Sequence, residues 1–198
     1  MTGSPLEIAF ICTGNRYRSV LAEAAFRAAA EGVPVRVGSF GTLDVGSAGP
    51  LPEALEAARE VGLDVSSHAA RCVVGADLSQ ASLVVGFEII HSATAVVDAG
   101  APAKRTFTLP ELVELLERVG PVRARDPIER ALERIERASA LRGSAPRQIP
   151  PAIADPIGQA RSRQQAIGRE VYASATRLAE QLFGETGADE ARARTDAG

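Results

Sequence analysis

The chain has 198 residues, is 45% hydrophobic and 24% charged, and carries a formal net charge of −3. That mixture fits one globular α/β-sized domain with its own core, and the mild acidity argues against nucleic acid as a partner. No apolar run approaches the ~20 residues of a membrane span, and no basic-then-apolar leader opens the chain, so a membrane is not expected either and a cytoplasmic setting is.

Leu6–Ile11 is a strand by its apolar run, and Val20–Glu31 a helix with Leu21, Ala24, Ala25 and Ala28 on one face. Val33–Gly38 is a second strand, followed by a Gly-rich loop, Ser39–Pro50. Leu51–Val61 is helical and stopped by Gly62. Ser82–Phe87 is a buried strand, Glu88–Asp98 a helix in which His91 is expected at the surface, and Lys104–Phe107 a fourth strand. Leu109–Val119 is helical. Asp126-Pro127-Ile128-Glu129 has the chemistry of a helix start, with Asp126 as N-cap, and the helix should run to about Leu141. A turn-rich link, Arg142–Pro151, leads to Asp155-Pro156 and a closing helix, Gln159–Phe183. The expected fold class is α/β: one three-layer domain over residues 1–183, a four-stranded parallel sheet with helices on both faces and an extra helix before the Asp-Pro loop. Residues 184–198, small and charged, are expected to form a disordered tail.

One stretch concentrates chemistry: Cys12-Thr13-Gly14-Asn15-Arg16-Tyr17-Arg18-Ser19, between the first strand and the first helix. A short loop entering a helix turns free N–H groups inward, and the helix N-terminus adds partial positive charge. Arg18 can give two parallel N–H bonds to phosphate oxygens. The same field favours a thiolate, which beneath a bound phosphate is placed for in-line attack on phosphorus. Two cysteines, Cys12 and Cys72, make neither a disulfide framework nor a four-thiolate metal site, and no metal or other cofactor is expected. Neither Gly-x-Gly-x-x-Gly after a strand nor Gly-x4-Gly-Lys-Ser/Thr occurs.

With its Cys-x-Gly-Asn-x-x-Arg-Ser pattern at the first strand–helix junction, the stretch resembles the low-molecular-weight protein tyrosine phosphatases, over about residues 6–183. The resemblance implies a phosphatase with Cys12 as nucleophile, Arg18 as phosphate ligand, and Thr13, Gly14, Asn15, Arg16, Tyr17 and Ser19 completing the phosphate loop. It implies an Asp-Pro general acid shortly before the last helix, the position Asp155 holds, with a simple turn aspartate as the other reading; Asp126 is read as an N-cap. It also implies a supporting network from Ser39 and His68. A second cysteine inside the loop is replaced by Tyr17, and Val20 stands where the family usually has Pro. The aromatic pocket walls are replaced by Leu43 on one side and Ile157-Gly158 on the other, with Phe40 and Tyr17 as rings that could restore some wall. Arg16 stands where a small or branched apolar residue is usual and is either a solvent-facing arginine or a second cation at the pocket rim. Cys72 is either a small buried hydrophobe or a resolving thiol for Cys12.

The expected function is a metal-independent phosphomonoesterase with a phosphocysteine intermediate, acting on a phosphorylated protein, phosphotyrosine first and phosphoarginine or another phosphoester next. A weak homodimer is the one self-association considered. The alternatives are an arsenate reductase using a low-molecular-weight thiol, and a non-catalytic phosphate-binding regulator.

Overall fold

Four strands pair in parallel in the order β2-β1-β3-β4: β1 Leu6–Cys12, β2 Val35–Gly41, β3 Leu83–Gly86 and β4 Thr106–Thr108. The structure is a computed structural model describing residues 4–144 and 152–184. Six α-helices alternate with or follow the strands among those residues: α1 Arg18–Ala29, α2 Pro52–Glu60, α3 Ile89–Ala99, α4 Leu109–Arg118, α5 Pro127–Ser144 and α6 Arg161–Phe183. The α/β fold class expected from the sequence is the one observed, with α5 standing before the Asp155-Pro156 loop. None of these helices is long and apolar enough to cross a membrane.

Alternation along β1 divides the core. Leu6, Ile8, Phe10 and Cys12 face a large cluster built with α1, α2, α4, α5 and α6, whereas Ala9 and Ile11 face a smaller one with Ala95 and Ala99 of α3. Glycine lets α6 come close: a Cβ at Gly168 would lie 2.7 Å from Ala57 Cβ and 3.0 Å from the Tyr17 hydroxyl. This contact fixes α6 to the start of α1, beside the loop that follows β1.

Three local expectations shift. β2 begins at Val35 and continues through Gly41, so Gly38 is not a stop. Gly38 accommodates Arg71, whose Nη2 would lie 3.1 Å from a Cβ there. The fourth strand is shorter and later, because Ala103–Arg105 form a 3₁₀ turn that precedes it. The helix after Asp126 extends to Ser144, and its first turn is capped as expected, Ile128 and Glu129 N–H donating to Asp126 Oδ1 at 2.9 and 3.0 Å. The remainder of the expected link to Pro151, and the expected tail after Gly184, lie outside the described residues.

Between β1 and β3 the order of the strands reverses direction. In open α/β sheets this switch point, at the carboxyl ends of the strands, is where ligands sit. Cys12 ends β1 there, and Glu88 lies two residues beyond the end of β3.

Candidate active site

The loop after β1 is held by its carbonyls. Cys12 O accepts from Thr42 N–H (2.9 Å), Thr13 O from Leu43 N–H (2.8 Å), Asn15 O from the His68 ring (2.9 Å), Arg16 O from Leu51 N–H (2.9 Å) and Tyr17 O from Leu21 N–H (3.0 Å). With the carbonyls tied down outside, the amides turn inward. Among the described residues, no N–H from Thr13 to Tyr17 donates to another group. Tyr17, the N-cap of α1, gives the helix no side-chain cap, so the first turn of α1 keeps its unpaired donors. The result is a concave nest of amides at a helix N-terminus, a shape that binds anions. Gly41 is required by this arrangement: a Cβ there would lie 2.8 Å from Thr13 O and 3.0 Å from Asn15 N.

Asn15 is the one non-glycine residue with positive φ (51°) among the described residues. Its amide orientation is fixed chemically. Arg71 N–H donates to Oδ1 at 2.8 Å, so the other atom is the nitrogen, and it donates to Ser19 Oγ (2.9 Å) and Ser39 Oγ (2.8 Å). The Ser39 hydroxyl in turn donates a hydrogen bond to Glu23 Oε2 at 2.5 Å. Ser19 Oγ lies 3.1 Å from Cys12 Sγ, and since it accepts from Asn15 its proton is available to a thiolate. Cys12 Sγ therefore has a donor aimed at it from the first turn of α1, in addition to the helix N-terminus.

Arg18 is 2% exposed and stretched across the floor of the site. Nη1 donates to Glu88 Oε1 (2.7 Å) and Ile153 O (3.1 Å), and Nη2 to Asp155 Oδ2 (2.6 Å) and Thr13 Oγ1 (3.2 Å). The Phe87 ring lies 5.9 Å from its guanidinium carbon. Both carboxylates keep more than a third of their side chains in solvent, so they neutralise Arg18 without being sealed in with it. Cys12, Arg18 and Asp155 line one cavity of about 120 Å³, with Thr13, Gly14, Arg16 and Tyr17 from the loop and Leu43, Val45, Leu51 and Ile157 around the mouth.

The family model for low molecular weight phosphotyrosine protein phosphatases matches residues 7–141. The chain belongs to this family. The protein-arginine-phosphatase of Bacillus subtilis strain 168 is 32% identical over 110 residues, 54% of this chain and 73% of that protein. A mutant of Bacillus subtilis YwlE has a TM-score of 0.63 at 25% identity, covering 89% of this chain and 98% of that one. The low molecular weight protein tyrosine phosphatase of T. tengcongensis has a TM-score of 0.65 at 23% identity, covering 88% and 98%, a likeness of fold.

Leu43, Ile157 and Tyr17 line the cavity as expected, and Phe40 departs from its expected place. Phe40 does not line the phosphatase pocket. Ser39 and Gly41 turn toward the loop, so Phe40 between them points to the opposite face, where the Arg71 guanidinium stacks on it at 4.5 Å. Tyr17 lines the pocket but is almost wholly buried, its hydroxyl donating to Gln164 O on α6 at 2.7 Å. Burial, with Glu60 next, pushes its pKa up to about 12. The walls at the mouth are aliphatic and open, Leu43 being 57% and Ile157 66% exposed. Arg16 stands at the rim with its Nε tied to Gly49 O at 2.7 Å and its terminal nitrogens unpaired among the described residues. Cys72 is half-buried and bridges Gly41 from the side opposite Cys12. Two strand spacings, about 9–10 Å, separate the two cysteines, more than the ~7 Å that a disulfide spans.

His91 is the largest departure from expectation. It is 1% exposed, not at the surface, and it belongs to the site. Its Nε2 lies 3.1 Å from Thr13 Oγ1, and its Nδ1 accepts from Glu88 N–H at 3.1 Å, completing a capping box at the start of α3. Burial, with the Arg18 charge next, lowers its pKa to about 4, against the opposing pull of Glu88 and Asp155. Glu88 and His91 were not singled out from the sequence as site residues. The signal that finds them is position, since they follow the strand beside β1 at the switch point.

Proposed function

We propose that the chain hydrolyses phosphate esters on proteins through a phosphocysteine, with phosphotyrosine as first substrate. The observation that carries this reading is the convergence of Cys12, Arg18 and Asp155 on one cavity, lined also by a loop whose amides from Thr13 to Tyr17 are unpaired among the described residues. A phosphoryl group seated on the amides takes the place of Asp155 at Arg18 Nη2. The Cys12 thiolate attacks phosphorus as the bond to the leaving oxygen breaks, and protonated Asp155 gives that oxygen its proton. Asp155, now a carboxylate, takes a proton from water as the water oxygen attacks the phosphocysteine. Phosphate leaves and the thiolate is restored. Arg18 and the loop amides hold the equatorial oxygens throughout.

A second substrate reading, phosphoarginine, is favoured by the walls. Leu43, Val45, Leu51 and Ile157 offer no flat ring for stacking but suit an aliphatic stem. Asp155 and Glu88 place two partly exposed carboxylates near a cationic leaving group. The curated relative described above is named for that activity.

The test is hydrolysis of para-nitrophenyl phosphate, a phosphotyrosyl peptide and a phosphoarginyl peptide at pH 5–8 with a chelator present. Cys12→Ser is expected to abolish turnover, and Asp155→Asn to cut kcat by about 10²-fold or more. The larger kcat/KM names the substrate. Turnover surviving Cys12→Ser would overturn the mechanism.

A further inference from the structure

The hydrogen bonds around Thr13 have only one consistent polarity. Glu88 N–H can only donate, so His91 Nδ1, 3.1 Å away, carries no proton. The ring proton therefore sits on Nε2 and is donated to Thr13 Oγ1 at 3.1 Å. Arg18 Nη2, also solely a donor, gives a second proton to the same oxygen at 3.2 Å. A hydroxyl has two acceptor lone pairs and one proton to give. Both lone pairs are occupied, so the Thr13 proton must go elsewhere. Among the described residues no acceptor takes it, and Thr13 lines the cavity with Cys12, Arg18 and Asp155.

We propose that Thr13 Oγ1 is a further hydrogen-bond donor to the bound phosphoryl group, and that His91 is the positioning residue that aims it. The inference rests on the phosphatase reading for the identity of its ligand. It adds a side-chain hydroxyl to a cradle otherwise made of amides and Arg18. It also gives the buried histidine a task. His91 stays neutral with its proton on Nε2, because a second proton on Nδ1 would face the Glu88 N–H, donor against donor. The charged groups around the ring are Arg18, Glu88 and Asp155, and the low pKa of His91 agrees with neutrality across pH 5–8. The Ser19 hydroxyl is aimed by the same logic, with Asn15 filling a lone pair so that its proton faces Cys12.

Three readouts on the intact protein test this. Nitrogen-15 spectra of the His91 ring should show Nε2 protonated and Nδ1 bare at pH 5–8, and the opposite tautomer or a charged ring would overturn the proposal. In complex with inorganic phosphate, the Thr13 hydroxyl proton should exchange slowly and couple to phosphorus-31 across the hydrogen bond. A residue that only braces Arg18 would show no such coupling, and its absence from a saturated complex would sink the idea. Thr13→Val should weaken phosphate binding about 10- to 100-fold, the range for hydrogen bonds to charged groups, with Thr13→Ser restoring most of it. His91→Gln, whose amide still donates, should lose less than His91→Phe. Unchanged phosphate affinity in Thr13→Val would also refute it. Because binding is read without turnover, a native protein that binds phosphate but hydrolyses nothing would remove the hydrolytic reading and leave this one standing.

Discussion

Replacing Asn15 separates two physical roles that the native residue combines. Asn15→Gly keeps the left-handed backbone without strain but removes the amide. Loss of Oδ1 leaves the Arg71 N–H unpaired, a penalty of about 1–3 kcal/mol, and the two neutral bonds from Nδ2 contribute about 1 kcal/mol each. The expected destabilisation is roughly 3–5 kcal/mol. Asn15→Ala loses the same bonds and adds about 1–2 kcal/mol for an alanine at φ 51°. Urea unfolding at pH 7 measures both, with unchanged m-values as the check that only stability moved. Activity should fall as well. Without the amide, Ser19 is no longer turned toward Cys12, and losing about 1.5–3 kcal/mol of a charge-assisted bond slows the thiolate step roughly 10- to 100-fold. If Asn15→Gly matched the native protein in stability and rate, the argument that this network orients the cysteine would be refuted. If glycine and alanine variants were equally stable, the backbone part would fail alone.

Gly41→Ala should cut kcat more than it cuts stability, because the added Cβ meets backbone at 2.8 Å and pushes the loop rather than a flexible side chain; a native rate would contradict this. Acid should destabilise the fold through His91. Its folded pKa, about 4, lies below the ordinary 6.5, so the contribution is intact above pH 6.5 and is lost as pH falls toward 4. The loss amounts to at most about 3 kcal/mol, and a His91→Phe variant with the same acid slope between pH 6.5 and 4 would show that the histidine is not its source.

The loop was legible because its chemistry is contiguous. Cysteine, Gly14, Asn15, Arg18 and Ser19 stand in one run between a strand and a helix, so local pattern alone assembles them. Ser39, His68 and Asp155 required the family resemblance, being brought in from other segments. Glu88 and His91 required the strand order itself, since only the adjacency of β3 to β1 carries the start of α3 to Thr13 and Arg18. Phe40 was misread where a period-2 rule already held the answer: if Ser39 faces the loop, its neighbour does not. On the sequence reading the second strand ends at Gly38, whereas the strand runs on and the glycine accommodates the close approach of Arg71, a tertiary contact with no local trace.

The Arg18–Asp155 ion pair joins residues 137 apart in sequence. During synthesis at about 5–20 residues per second, Asp155 follows Cys12 by roughly 7–30 s. Through that interval β1, α1 and β2 can form, while Arg18 lacks Ile153 and Asp155, and α1 lacks the face of α6; Glu88 arrives about midway. The Cys12 loop is thus synthesised well before Asp155, and α6, which packs on Tyr17 and Leu21 at Gly168, follows both. The phosphate loop is synthesised early, and the cavity it lines is complete only once Asp155, Pro156 and Ile157 have followed.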